Sequence, residues 1–240
     1  MYFRQILHEE KSCISYLIGC PAKGVCAAID PQGDPQIYLE NAERGGMKIS
    51  HIIETHVHAD HLSTARQLSA RCGAPVHLGT GAQVDFPYIP LSEGQSLQVG
   101  NRRLQVLHTP GHTPEHICLL GDDWYLLTGD TLFVGDVGRV DLSALENGSG
   151  EIEDYALQLF YSLERLLALP DWFEVYPGHY AGSVCGRGLD GKMISTIGRE
   201  RRQNKALNLP REQFVRFQVD NLPPLPENFL RIKEENSARK

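Results

Sequence analysis

The chain has 240 residues, of which 41% are hydrophobic and 22% are charged, as in a folded globular protein rather than a disordered one. No apolar run approaches the roughly 20 residues that a membrane-spanning helix needs, so a membrane protein is not expected. The formal net charge of −7 repels phosphate backbones, which makes nucleic acid a poor candidate partner.

The cysteines and the N-terminal residues indicate a reducing compartment. The six cysteines are scattered and none forms a C-x-x-C pair, so we expect reduced thiols rather than disulfides or structural zinc. Residues 1–11 lack a basic stretch followed by an apolar one, and they carry acidic side chains. This pattern predicts neither a secretory signal nor a transit peptide, and we expect a cytoplasmic protein.

Short β-rich segments dominate the first part of the chain. The predicted strands are Ser12–Ile18, Gly24–Ile29 and Ile49–Glu54. A helix is predicted over Leu62–Cys72, because Leu62, Ala65 and Leu68 recur at helical spacing and Gly73 suits its end. The residues between the third strand and this helix therefore form a strand-to-helix loop.

That loop contains the run T-H-V-H-A-D-H at Thr55–His61, which places three imidazoles and a carboxylate within six residues. Neutral imidazole and carboxylate are ligands that zinc, iron and manganese share. The candidate ligands are His56, His58, Asp60 and His61. We predict a metal site rather than a histidine-rich surface loop, because segments downstream carry the same ligand types.

The middle of the chain is predicted to contain a strand at Pro75–Leu78 and then a succession of hairpins. The hairpin strands are Ser96–Val99, Arg103–His108, Ile117–Leu120 and Trp124–Thr128. Further predicted elements are a helix at Asp154–Leu169, a strand at Phe173–Tyr176, and helices at Ile197–Leu207 and Glu212–Val219. The Pro-rich tail Leu222–Pro226 is expected to end the packed region. The alternation of strands and helices predicts an α/β sandwich in one domain, residues 1–240.

Three downstream loops place a ligand-type side chain just beyond a predicted strand. The motifs are T-P-G-H at Thr109–His112, G-D at Gly129–Asp130 and P-G-H at Pro177–His179. Glycine allows tight turns and close approach, and loops at one edge of a sheet can meet. We therefore predict that His112, Asp130 and His179 join the cluster. His116 is a weaker candidate, because its only argument is its nearness to His112 in sequence.

These motifs, in this order, resemble those of the metallo-β-lactamase superfamily. The resemblance implies an α/β (α+β) fold, a four-layer αββα sandwich with the metal at one edge of its two sheets. In dinuclear relatives, His58 completes the first metal site, Asp60, His61 and His179 hold the second metal, and Asp130 bridges. The chemistry stays open, because this fold hosts thioester, β-lactam and nucleic-acid hydrolases as well as iron oxygenases.

A narrower resemblance comes from the segment Gly129–Leu142, which reads G-D-T-L-F-V-G-D-V-G-R-V-D-L. It is similar to a stretch of bacterial persulfide dioxygenases, with Val140 in place of the usual proline. The segments Ala181–Gly186, Ser195–Gly198 and Leu222–Phe229 resemble the same subfamily. We expect no rhodanese domain in this chain, although some of these enzymes carry one. The segment after Asp130 does not resemble the glutathione-binding loop of glyoxalase II, the nearest well-known hydrolase.

This second resemblance implies one Fe(II) per chain, held by His56, His112 and Asp130. Such a triad leaves room on the same ion for a substrate sulfur and O₂, which redox-inert zinc could not couple. The implied reaction is oxidation of glutathione persulfide, or a similar small thiol persulfide, by O₂ to sulfite and free thiol in sulfide detoxification. The other four ligand-type residues, His58, Asp60, His61 and His179, would then support the iron ligands.

Two alternatives remain at this stage. A dinuclear zinc thioester hydrolase of glyoxalase II type would use the same ligands, so the ligand set alone does not exclude it. A non-catalytic metal or sulfide sensor is the third hypothesis, although none of the ligands is lost. The resemblance also admits a homodimer and a separate rhodanese that supplies the persulfide.

Three residues are candidate substrate contacts. Arg139 is predicted to hold a glutathione carboxylate through its guanidinium, with a salt bridge to Asp136 or Asp141 as the alternative. Tyr180 is predicted to donate a hydrogen bond to the substrate, with simple packing as the alternative. Cys185 is a candidate acceptor of sulfane sulfur or an inert thiol, because reactivity requires a lowered pKa. The remaining cysteines are predicted to be core residues.

Overall fold

Two six-stranded sheets form the centre of the computed structural model, which describes residues 1–147 and 152–239. The first sheet follows chain order: β1 (Tyr2–His8), β2 (Cys13–Cys20), β3 (Val25–Ile29), β4 (Lys48–Ile53), β5 (Val76–Gly79) and β6 (Ile89–Leu91). The second contains β7 (Ser96–Val99), β8 (Arg102–His108), β9 (Ile117–Gly121), β10 (Tyr125–Gly129), β11 (Glu174–Pro177) and β12 (Ser195–Thr196). Its strands also lie side by side in chain order, from β7 to β12.

Seven α-helices occur among the described residues: α1 (Pro35–Arg44), α2 (Ala65–Cys72), α3 (Leu142–Asn147), α4 (Ile152–Leu167), α5 (Ile197–Gln203), α6 (Arg211–Asp220) and α7 (Phe229–Ser237). An apolar cluster that includes Tyr38 and Leu68 packs α1 and α2 on the first sheet. Another, with Leu159 and Phe214, packs α4 to α6 on the second sheet, and a third fills the space between the sheets. The layers confirm the predicted αββα sandwich.

The functional loops meet at one edge of this sandwich because of how the strands pair. Strand β4 is parallel to β3 and β5, and β10 is parallel to β11, so their carboxyl ends carry the Thr55–His61, Asp130 and His179 loops to that edge. An isolated β-bridge between Cys13 and His179 links the two sheets there.

Several elements differ from the sequence prediction. Helix α2 begins at Ala65 rather than Leu62, and the sequence prediction missed three strands and three helices, namely β1, β6, β12, α1, α3 and α7. The expectation that packing ends at the Pro-rich tail is wrong. Helix α7 returns to the body of the protein, where the carbonyl oxygen of Glu235 accepts a hydrogen bond from Arg66 at 2.6 Å. The described helices include none that is both long and apolar enough to cross a membrane.

Candidate metal centre

Three side chains from three separate loops converge at the sheet edge. They are His56 after β4, His112 in the β8–β9 loop and Asp130 after β10. One ligand-type atom from each lies within 4.8 Å of the others. All three are buried, with exposed fractions of 1%, 4% and 0%. The structure therefore brings together the three residues that the resemblance to persulfide dioxygenases implied as one triad.

The hydrogen bonds of the two histidines fix which ring nitrogen carries the proton. His112 Nδ1 lies 2.8 Å from the carbonyl oxygen of Arg139, which can only accept. His56 Nδ1 lies 2.9 Å from Thr55 Oγ1, whose hydroxyl donates to Asp30 at 2.9 Å. Both rings therefore carry hydrogen on Nδ1 and a free lone pair on Nε2. Burial also lowers the pKa of both rings, so they are neutral and able to bind a cation.

Buried atoms without partners point to a group that fits between these side chains. His56 Nε2 and Asp130 Oδ2 have no hydrogen-bond partner, although leaving a buried polar atom unpaired is costly. His112 Nε2 lies 3.5 Å from the same Asp130 oxygen. Two imidazole nitrogens and one carboxylate oxygen facing each other are a typical ligand set for a divalent transition metal. The residues present therefore fit a metal ion.

The environment of Asp130 determines which of its oxygens faces the ligand histidines. Its Oδ1 lies 2.7 Å from His179 Nδ1, which leaves Oδ2 without a protein partner. A Cβ at Gly178 would lie 2.7 Å from Oδ1, and a Cβ at Gly138 would lie 1.8 Å from the carbonyl oxygen of Asp130. The glycines of both motifs are thus required by the close approach of the backbone to Asp130.

His116 was a weak candidate for a metal ligand, and the structure corrects this prediction: the residue holds the backbone of Asp130 instead. Its Nε2 accepts a hydrogen bond from the backbone N–H of Asp130 at 3.0 Å. Its Nδ1 lies 2.9 Å from Thr109 Oγ1 and 3.1 Å from Thr131 Oγ1. Burial lowers the pKa of His116 to about 3, which keeps that ring neutral and its Nε2 an acceptor.

A second group of ligand-type atoms lies beside the first. It consists of Cys13, Asp60, His61 and His179, whose atoms also lie within 4.8 Å of one another. Asp60 Oδ2 lies 2.9 Å from His179 Nε2 and 3.4 Å from Cys13 Sγ. Burial alone would lower the pKa of His61, but the neighbouring Asp60 carboxylate raises that pKa to about 9. The prediction of Cys13 as a plain core residue missed this contact, because β2 starts far from the motif in sequence.

His58 lies in a third group, with two carboxylates that the sequence analysis did not select. Its Nε2 lies 2.9 Å from a Glu54 oxygen and 3.3 Å from an Asp30 oxygen. Although burial acts in the opposite direction, these carboxylates raise the pKa of His58 well above its usual value. His58 Nδ1 has no partner among the described residues. The carboxylates therefore engage Nε2 of His58, while its ring centroid lies 4.1 Å from that of His56 and its Nδ1 is left free to bind a metal ion.

The structure contradicts the predicted role of Arg139 as a substrate contact. Its side chain is buried, and Nε and Nη2 donate to the two Asp141 oxygens at 2.7 Å each. The remaining donors reach the carbonyl oxygens of Val184, Pro223 and Pro224 at 2.9 to 3.1 Å. All five N–H groups are therefore used inside the protein, which leaves none for a glutathione carboxylate. The alternative salt bridge to Asp141 is the one that forms.

Tyr180 and Cys185 have different surroundings. The half-buried ring of Tyr180 packs against the apolar cluster between the sheets, as the packing alternative predicted. Cys185 is buried, and its sulfur groups with ligand-type atoms of Asp130 and His179 within 4.8 Å. Burial raises the pKa of the Cys185 thiol well above its usual value. Both substrate roles stay predictions, and for Cys185 the raised pKa favours a neutral thiol.

Asn236 on α7 holds the metal-ligand loop, and no local sequence signal identified it. Its Nδ2 donates to the carbonyl oxygens of His58 at 2.9 Å and His61 at 2.8 Å. Its Oδ1 accepts the backbone N–H of Ser63 at 2.9 Å. One amide thus fixes three backbone groups of the loop from the C-terminal helix.

We expect Asn236→Ala to weaken metal binding by about 10- to 100-fold, the usual cost of losing a partner that orients metal ligands. Competition with a chromophoric chelator measures the affinity. Asn221→Ala is the matched control, because this exposed asparagine makes a similar bond to a backbone carbonyl at the end of α6. Wild-type affinity in Asn236→Ala would show that the ligand loop holds its shape without α7.

Comparisons with known proteins found related sequences and structures. The model of the metallo-beta-lactamase superfamily matches residues 12–179. The mitochondrial persulfide dioxygenase ETHE1 of Mus musculus is 31% identical over 229 residues, covering 90% of this chain and 80% of that protein. A hydroxyacylglutathione hydrolase of Rhizobium johnstonii is 36% identical over 166 residues, covering 68% of this chain and 60% of the relative.

The crystal structure of ETHE1 from Myxococcus xanthus has the same fold over the whole length of both chains. Its TM-score is 0.86 at 31% sequence identity, and the match covers 100% of each chain. The matched span includes the strands that carry the ligand loops and the C-terminal helix α7.

Proposed function

The chain belongs to the metallo-β-lactamase superfamily, and within it we propose an Fe(II)-dependent persulfide dioxygenase. One observation carries the proposal: two neutral imidazoles and one carboxylate, from His56, His112 and Asp130, face each other, and His56 Nε2 and Asp130 Oδ2 have no protein partner. A triad of two histidines and one carboxylate with open positions is typical of non-haem Fe(II) oxygenases. The similarity to a persulfide dioxygenase over 90% of the chain is compatible with this proposal, and hydroxyacylglutathione hydrolases match 92% of the chain.

The proposed reaction converts a glutathione persulfide, O₂ and water into glutathione and sulfite. The terminal sulfur loses four electrons and gains three oxygen atoms, two from O₂ and one from water. When bound, Fe(II) would let these electrons pass from the sulfur to the oxygen.

The protein residues hold this centre rigidly. His112 is oriented by the Arg139 carbonyl and Asp130 by His179, so two ligands are fixed before any substrate arrives. The three ligands are at most 4% exposed, which limits access of bulk water to the centre. Such preorganisation lowers the cost of bringing two substrates together.

Metal analysis and oxygen uptake on one preparation test the proposal. Protein made without air is expected to carry about one iron per chain. It should consume one O₂ and release one sulfite for each glutathione persulfide. Two zinc ions per chain, hydrolysis of S-lactoylglutathione and no oxygen uptake would overturn the proposal.

A dinuclear zinc thioester hydrolase is the second candidate. Asp60, His61 and His179 lie together, so a second ion has side chains to bind, and the hydroxyacylglutathione hydrolase is 36% identical to this chain. Hydroxyacylglutathione hydrolases of Rhodopseudomonas palustris match 92% of the chain at 31% and 34% identity, so overall similarity does not rank the two candidates. We place the hydrolase second because the segment Gly129–Leu142 resembles persulfide dioxygenases rather than the glutathione-binding loop of glyoxalase II.

A further inference from the structure

The second group of ligand-type atoms differs from the second metal site implied by dinuclear relatives in one sulfur. It consists of Cys13, Asp60, His61 and His179, which we call the Cys13 site, and its ligand-type atoms lie within 4.8 Å of one another. All four residues are buried, with at most 6% of each exposed. The resemblance to dinuclear relatives accounts for Asp60, His61 and His179, whereas it gives the Cys13 thiol no role.

The contacts within the Cys13 site converge on one carboxylate oxygen. Asp60 Oδ2 lies 2.9 Å from His179 Nε2, 3.1 Å from His61 Nδ1 and 3.4 Å from Cys13 Sγ. One carboxylate oxygen has about two lone pairs, so hydrogen bonds alone do not account for three partners. His61 Nε2 has no hydrogen-bond partner among the described residues. A self-sufficient polar network would satisfy its own atoms, so this arrangement indicates a group that binds between the four side chains.

The separations between these atoms are those of a tetrahedral metal site. Zinc bonds of about 2.0 Å to nitrogen or oxygen and about 2.3 Å to sulfur place neighbouring ligand atoms roughly 3.3–3.6 Å apart. The three contacts of Asp60 Oδ2 lie close to this range, as does the 3.8 Å between Cys13 Sγ and His61 Nδ1. Four protein ligands would fill every position of a tetrahedral ion, which is typical of structural rather than catalytic zinc.

The backbone holds Cys13 beside His179 before any cation binds. An isolated antiparallel β-bridge pairs these two residues, and the N–H of Ile14 donates to the carbonyl oxygen of Gly178 at 2.7 Å. The sulfur therefore comes from one sheet and the imidazole from the other, at the point where the two sheets are joined. Because the ligands are already in place, binding does not have to order the chain.

We propose that the Cys13 site binds a thiophilic divalent cation of the zinc type, with Cys13 as a thiolate ligand. A thiolate selects such an ion over hard cations, and the S–H proton is released to solvent when the ion binds. The site shares no ligand with the triad, so it can be filled whether the triad holds iron or zinc. With its Nε2 on the cation, His179 carries its hydrogen on Nδ1 and donates to Asp130 Oδ1, 2.7 Å away. The bound cation thus holds the triad carboxylate in place.

Stepwise addition of Co²⁺ to the metal-free protein, without air, tests the sulfur ligand by absorption spectroscopy. Bound thiolate gives Co²⁺ a charge-transfer band in the near ultraviolet that nitrogen and oxygen ligands do not give. The band is expected in the wild type and should be lost in Cys13→Ser and Cys13→Ala, whose zinc affinity should fall by at least about 100-fold. Cys185→Ser is the matched control and should keep the band, because Cys185 is a second buried cysteine whose sulfur lies within 4.8 Å of a His179 nitrogen.

X-ray absorption at the zinc edge of the wild type, with iron in the triad, gives a readout that needs no folded variant. One sulfur neighbour at about 2.3 Å from zinc is expected. A zinc ion without a sulfur neighbour overturns the Cys13 site, and so does a cobalt band that survives in Cys13→Ser and disappears in Cys185→Ser. Both results leave oxygen uptake by the iron triad untouched. A sulfur ligand from Cys13 together with zinc in the triad and thioester hydrolysis would support the Cys13 site and overturn the dioxygenase.

Discussion

Asp130→Asn is expected to lose metal and oxygen uptake together, while the protein remains folded. Asparagine has the same shape, and its carbonyl oxygen can still accept from His179 Nδ1, now 2.7 Å from Asp130 Oδ1. What disappears is the negative charge on the unpartnered Oδ2, which faces the two histidines. The loss in metal affinity should exceed about 100-fold, because losing even an outer partner of a metal site costs 10- to 100-fold.

Iron content after anaerobic loading and oxygen uptake with glutathione persulfide measure the two effects. The matched control is Asp123→Asn, on the exposed turn between β9 and β10, where the carboxylate pairs with Arg103. Thermal unfolding of the metal-free proteins checks that both variants fold. Near-normal iron and activity in Asp130→Asn would show that Asp130 is not a ligand.

The ligand loops could be predicted because each depends on local sequence. The run Thr55–His61 and the glycine-containing motifs each follow a strand, and strand ends of a layered sheet meet at one edge. Apolar patterning likewise predicted nine of the twelve strands and α4, since burial determines that spacing. The pattern therefore predicted that Asp130 and His112 lie at the same sheet edge as the Thr55–His61 loop, where the structure places them.

The residues that could not be predicted act across long sequence separations. Asn236 contacts a loop 173 or more positions earlier in the chain, and Cys13 contacts Asp60 across 47 positions. Their environments depend on how the sheets and α7 pack, which no local pattern encodes. The sequence likewise left open whether Arg139 faces substrate or protein, because both surroundings suit a guanidinium.

The second large effect is expected when Arg139 is replaced. Its size distinguishes a structural role of Arg139 from a role in substrate binding. Arg139→Met should lower the free energy of unfolding by about 3–5 kcal/mol, the usual cost of removing one partner of a buried ion pair. The change leaves the Asp141 carboxylate buried without its guanidinium, and it removes the donor from the Val184 and Pro224 carbonyl oxygens. Urea unfolding of the metal-free protein measures the loss.

The double variant Arg139→Met/Asp141→Leu keeps the test decisive if the single variant fails to fold. It removes both charges, so it should be more stable than Arg139→Met, because no carboxylate is left buried alone. The backbone carbonyl of Arg139, which orients His112, remains in both variants. The folded double variant should therefore show the wild-type KM for glutathione persulfide. An unchanged free energy of unfolding in Arg139→Met, together with a raised KM, would instead show that Arg139 binds the substrate. A guanidinium that binds a substrate carboxylate contributes to affinity rather than to stability.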